Sequence, residues 1–123
     1  MMHKRPFLAA VSALCLLPGL ALAGAGQPLT SQNISTTIAA GGSFQNLAGA
    51  GANPSRNGCL IQNPTTATEP LYVHFGSDSA TAANSYSLAP GASISCGVPG
   101  GVITDTIQVE ATTTAHAFIA EIQ

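Results

Sequence analysis

Beyond residue 23, the side chains that could do chemistry are few: His74 and His116, Cys59 and Cys96, and the carboxylates Glu69, Asp78, Asp105, Glu110 and Glu121. A zinc site needs three or four Cys, His or carboxylate ligands at short spacing. A blue-copper site needs two His and a Cys near a Met, and both methionines are at the chain start. Neither pattern occurs here. Serines are plentiful, but no G-x-S-x-G elbow is present, so a triad would have to be assembled from His74 or His116 and a distant acid. Two-carboxylate glycosidase chemistry requires a cleft between acids, which a domain this small seldom forms. The glycine clusters at 41–42, 49–51, 58 and 97–101 lack the G-K-[ST] ending of a phosphate loop and read as turns. We therefore expect no catalytic residues, no metal and no cofactor, and not an enzyme. His74 and His116 are expected to point outward from two strands, and the acids to be solvated edge or loop charges.

The cysteine pair reads as a Cys59–Cys96 disulfide, the usual fate of an even pair in an exported chain. Such a bond stabilises the fold by about 4 kcal/mol on the chain-entropy account. Arg56 is the one basic residue after residue 5. Asp105 falls on an otherwise apolar strand face, so an inward carboxylate there would need a partner, and Arg56 offers a bidentate one. A structural ion pair between Arg56 and Asp105, or failing that Glu110, is expected. Tyr72, His74 and Tyr86 are candidate surface contacts, and Tyr72 and Tyr86 with loop 76–84 could form a sugar platform.

The elements that must position these residues are strands. Short runs dense in Val, Ile, Thr, Phe and Tyr alternate with Gly, Pro, Asn and Ser clusters, and helix signals are nearly absent. Ile34, Thr36 and Ile38 alternate as a first strand. Gly41-Gly42 is expected to turn it back into Phe44–Leu47, and residues 48–58 form a flexible loop. Residues 58–62 follow with Cys59 and Ile61 on one face, and Asn63-Pro64 stops that strand. In Leu71–Phe75, Leu71, Val73 and Phe75 face one way while Tyr72 and His74 face the other. Residues 85–88 and 92–96 flank Ala89-Pro90-Gly91, a type II turn by composition. Residues 102–111 and 115–122 complete the set. The expected fold is all-β: a small antiparallel β-sandwich or partly open barrel of six to eight strands, one domain over residues 24–123 with 24–33 as a loose leader.

Residues 1–23 match a secretory signal peptide: a basic head at His3, Lys4 and Arg5, an apolar run from Phe7 to Leu17, a Pro18-Gly19 break, and Ala21-Leu22-Ala23 at the cleavage site. Cleavage after Ala23 would expose Gly24 and place the rest in a secreted or periplasmic compartment, with no membrane insertion thereafter. That remainder carries one basic residue against five acidic ones, a net charge of about −4. With no basic patch, nucleic-acid binding and attachment to anionic lipid are excluded.

The stretch from Arg56 to Gln123 resembles small virion-associated structural proteins of tailed phages and prophages. The matching pieces are RNGCLIQNP (56–64), LYVHFG (71–76), SYSLAPGASISC (85–96), DTIQVEATTT (105–114) and AHAFIAEIQ (115–123). The resemblance implies a structural or attachment role. The signal peptide departs from it, since phage capsids assemble in the cytoplasm. The expected function is an exported structural or surface-interaction module that self-associates or meets a surface partner. The alternative is a small periplasmic carbohydrate- or ligand-binding module using Tyr72, Tyr86 and loop 76–84. A third reading has leader 24–33 lending a strand to a neighbour.

Overall fold

The computed structural model describes residues 30–123. The expected signal peptide and most of the leader lie outside the described residues. The fold is all-β, built as two antiparallel sheets that do not close into a barrel. In chain order the strands are β1 (Gln32–Asn33), β2 (Thr36–Thr37), β3 (Gln45–Asn46), β4 (Cys59–Gln62), β5 (Leu71–Phe75), β6 (Tyr86–Leu88), β7 (Ser93–Ser95), β8 (Gly97–Val98), β9 (Gly101–Val102), β10 (Ile107–Glu110) and β11 (Ala117–Ile122). One sheet runs β1-β11-β4-β7, with β2 also on β11; the other runs β3-β10-β5-β6, and β8-β9 form a small hairpin. The first strand is present as β1 and β2, in one continuous register against β11. Between them the Ser35 hydroxyl, not a backbone carbonyl, accepts from Ala120 N at 3.0 Å.

The core lies between the sheets and is filled by the alternate residues of the central strands: Cys59 and Ile61, Leu71 and Val73, Ile107 and Val109, Phe118 and Ala120. That is the period-2 pattern of strands buried on one face.

The expected return of the first strand does not form. Residues 44–47 do not return along the first strand; β3 pairs with β10 in the opposite sheet. Gly42 N donates to Ala111 O and Gly41 N to Thr114 Oγ1, so this corner docks on the β10–β11 connection as the chain changes sheet. Likewise β6 pairs with β5 and β7 with β4. The turn between them is the expected type II turn: Ala92 N donates to Ala89 O at 2.9 Å and Gly91 has φ +85°. Type II turns oppose the right-handed twist of a two-residue hairpin, so this one passes the chain across the sandwich. Residues 48–58 are not a flexible loop either. Ala50 is fully buried, Asn53 N donates to Thr104 O, and Ile107 N donates to Ala50 O.

Candidate functional site

Polar side chains close the two ends of the sandwich in different ways. At one end, where β4 and β10 begin and β11 stops, Cys59 and Cys96 are disulfide-bonded with Cα atoms 5.1 Å apart. Beside them Arg56 is buried, 4% exposed. Its guanidinium donates to Asp105 O at 2.8 Å, Gly51 O at 2.6 Å and Ile103 O at 3.4 Å. The expected ion pair with the Asp105 carboxylate is thus corrected. Asp105 is exposed because the chain leaves strand geometry between β9 and β10, and its Oδ1 accepts from Thr106 N instead. Glu110 lies at the far end of β10 and makes no ion pair with Arg56. Burial pushes the Arg56 guanidinium below its ordinary value, with the field of Asp105 opposing. Its Nε is, among the described residues, the buried side-chain polar atom left without a hydrogen-bond partner.

At the opposite end, Asn63, Glu69 and His116 form a connected set. Asn63 follows β4 and is fully buried. Its Nδ2 donates to Glu69 O and Leu88 O, each at 2.9 Å, which turns Oδ1 toward His116 Nε2 at 3.0 Å. His116 Nδ1 lies 3.2 Å from Glu69 Oε1, and Thr113 N donates to that same oxygen at 2.9 Å. Burial alone would raise the Glu69 carboxyl, but hydrogen bonds from Thr113 and the neighbouring His116 outweigh it and hold it below its usual range. Around this set lies a pocket of about 250 Å³, lined by the 64–69 segment and residues 113–117. Its floor includes Ala115 at φ +65°, a left-handed conformation that costs a non-glycine residue about 1 kcal/mol and often marks a functional loop.

His74 is braced separately. The 76–85 loop folds back over the outer face of the β3-β10-β5-β6 sheet, carrying a 3₁₀ turn at Ala82–Asn84. Asp78 Oδ1 stands 2.8 Å from His74 Nε2 and Asn84 O 3.1 Å from Nδ1. Gln108 Nε2 ties the same loop down through Gly76 O and Asp78 O. Gly76 has φ +153°, and a Cβ there would stand 2.5 Å from Asp78 Oδ1. Its hydrogen bond to Asp78 raises the His74 imidazole above its ordinary value, with burial opposing, and Asp78 is lowered in return.

Both histidines therefore differ from the sequence expectation. Each faces outward from its sheet or strand end, yet each is covered, because a loop carrying a carboxylate closes over it. Glu69 is likewise mostly buried and not a solvated loop charge. The two tyrosines are not brought together. Tyr86 pairs with Val73 and so shares its face, whereas Tyr72 pairs with Ser87 on the other. Tyr86 is 57% exposed and packs on Phe75 with ring centroids 5.9 Å apart; Tyr72 is half-buried. Of Tyr72, His74 and Tyr86, Tyr86 alone stands clear as a surface contact. Asn63, read only as a strand stop, and Gln108 and Thr113, not singled out, carry more of the polar network than the residues sequence reasoning favoured.

The outer face of the β1-β11-β4-β7 sheet is bare by comparison. Asn33, Thr37, Gln62, Ser93 and Ser95 surround Leu60 and Ile119, which are 41% and 39% exposed. Leu60 pairs with Glu121 and Ile119 with Gln62, so the two apolar side chains are diagonal neighbours on the central strands. Glu121 is the one ionisable side chain on this face among the described residues, and Ser31 Oγ donates to it at 3.0 Å.

No protein-family model, curated protein or solved structure matches the chain. Among the described residues, no group of three or more His, Cys, Asp or Glu side chains could hold a metal, and no helix is long and apolar enough to cross a membrane.

Proposed function

We propose that this protein is an exported structural module that self-associates through the bare outer face of its β1-β11-β4-β7 sheet. The observation that carries the reading is the Leu60–Ile119 pair, exposed at the middle of a face with a single charge. The occupant that fits best is a second copy of the chain. A charged partner would find almost nothing to pair with there. Two acidic copies would meet with the least repulsion through this face, hydroxyls and amides hydrogen-bonding around an apolar centre. On the opposite outer face, loop 76–85 folds over His74 and Gln108. The signal-peptide pattern, the disulfide and the resemblance of residues 56–123 to phage virion proteins support an extracytoplasmic structural role. The sugar platform of Tyr72 and Tyr86 is not favoured, since the two rings face opposite sides of their sheet.

The test is sedimentation of the oxidised mature chain over a wide concentration range. Concentration-dependent association is expected, and Leu60→Lys and Ile119→Lys should each shift it toward monomer while leaving the melting temperature nearly unchanged. A wild-type monomer at every concentration, or association unaffected by both substitutions, would rule the reading out.

A further inference from the structure

The β1-β11-β4-β7 sheet ends in an edge that lacks the usual guards. β7 pairs with β4 on one side and, among the described residues, with no strand on the other. In this ladder Cys96 N donates to Cys59 O and Asn63 N to Ala92 O. Hydrogen-bonded pairs alternate with non-bonded ones in an antiparallel ladder, so Ile61 with Ile94 is also a bonded pair. Ser93 and Ser95 fall between them, and their N–H and C=O groups point away from β4. Among the described residues no backbone or side-chain group pairs with these outward groups. Both serines are exposed. Natural sheet edges are commonly blunted by lysine, proline or a bulge. Residues 79–104, which carry β6 to β9, contain no Asp, Glu, Lys, Arg or His, and Pro90 and Pro99 lie outside β7.

This edge is complementary to itself. When two copies of β7 lie antiparallel about a two-fold axis at Ile94, Ser93 of each copy faces Ser95 of the other. Each such pair exchanges both its N–H···O bonds, and every outward group of the two strands is satisfied. A one-residue slip would set outward groups against groups already bonded to β4. Of the registers that match outward groups with outward groups, this one pairs both serines of each copy. The serine hydroxyls then stand opposite one another on the outer face, and Ile94 meets Ile94 on the inner side. Ile94 is half-buried against the core, so the pairing covers its remaining surface. Flanking the ladder, Gly91 falls opposite Gly97 and Ala92 opposite Cys96, all small residues. Charge selects the same edge. Two acidic chains meeting at β7 bring no carboxylate together, whereas β1, at the other edge, has Glu121 directly across from Asn33.

We propose that β7 is a second self-association surface, pairing antiparallel with β7 of another copy so that two sheets become one. The proposal deepens the self-association reading but stands on different residues from Leu60 and Ile119. One two-fold contact stops at a dimer, while a face contact and an edge contact on the same copy let the assembly grow.

The experiment is hydrogen exchange read at individual amides of the oxidised mature chain, dilute and concentrated, with sedimentation alongside. Wild type, Ile119→Lys and Ser95→Pro are compared. The Ser93 and Ser95 amides should exchange freely when dilute and at least tenfold more slowly when concentrated. The slowing should persist in Ile119→Lys, which disables the face and not the edge, and the species there should be a dimer. Ser95→Pro removes an outward donor that the fold itself does not use. It should weaken edge pairing about tenfold or more with little change in melting temperature. Should Ser95→Pro misfold, exchange at the two serines in the other proteins decides alone. Free exchange at both serines at every concentration, or an Ile119→Lys dimer insensitive to Ser95→Pro, would overturn the proposal and leave the face reading standing. Protected serines in assemblies that Leu60→Lys and Ile119→Lys leave unchanged would sustain the edge and remove the face.

Discussion

The two ends of the sandwich solve one problem with opposite chemistry. Each end must bring the sheets together and satisfy the backbone groups that the strands leave unpaired there. At the Cys59–Cys96 end a covalent bond ties two neighbouring chain segments of one sheet, and a cation's guanidinium serves three carbonyls. The Asn63 end uses a neutral amide, a histidine ring and a carboxylate, with a pocket beside them. The first end is closed, with the Arg56 Nε as the buried donor left unpaired among the described residues. The second is open to a pocket lined by residues 64–69 and 113–117.

The largest effect should come from the closed end. Replacing Cys59 and Cys96 with alanine should cost about 4 kcal/mol and lower the melting temperature by roughly 15–30 °C. Thiol labelling of the native oxidised chain should find neither cysteine, and full labelling without denaturant would remove the brace. Arg56→Ala comes next, at roughly 2–4 kcal/mol in denaturant titration, because buried carbonyls lose their donor. Adding Asp105→Ala should give no recovery, since the guanidinium meets the Asp105 carbonyl and not its carboxylate. Recovery would restore the ion pair.

At the other end, Asn63→Ala should cost roughly 1–3 kcal/mol, leaving the carbonyls of Glu69 and Leu88 unserved. Asn63→Asp should cost more despite its matching shape, because it would aim oxygen at both carbonyls. An aspartate variant as stable as wild type would mean that the amide is not the donor.

The smallest effect concerns the His74 brace. His74 is raised when folded, so its contribution is fully present below the ordinary value of 6.5 and is lost as pH rises through the higher folded value. Asp78 is lowered, so its share is present above 3.8 and is lost as pH falls through the depressed value. Hydrogen-exchange protection of amides 76–85 should therefore be greatest between these limits and decline on the alkaline side. His74→Gln should flatten that profile, and an unchanged alkaline decline in the variant would assign it to another group.

The candidate sites were only partly legible in the sequence. The Cys59–Cys96 pair was legible because Cys15 falls within the expected signal peptide and the two cysteines beyond it allow a single pairing. The burial of Arg56 was legible because a lone cation near an acid on an apolar face needs a reason, but its partner was not. Sequence shows side chains as potential partners, whereas the guanidinium found main-chain carbonyls exposed by the break between β9 and β10. Glu69, His116 and Asn63 lie up to 53 positions apart with no spacing pattern to join them.

By itself, the sequence determined an all-β domain, the faces of β4 and β5, the type II turn at Pro90-Gly91 and the even cysteine pair. Each follows from local physics: period-2 alternation, the fixed φ of proline, the left-handed freedom of glycine, and pair counting. Only the tertiary structure decided which strands are neighbours. The strands flanking Gly41-Gly42 and Pro90-Gly91 belong to opposite sheets, because a turn's composition gives its bend but not the layer into which the chain is delivered. Register and layer then decided everything that depends on two loops meeting, including the cover over both histidines, the separation of Tyr72 from Tyr86, and the pocket beside Glu69.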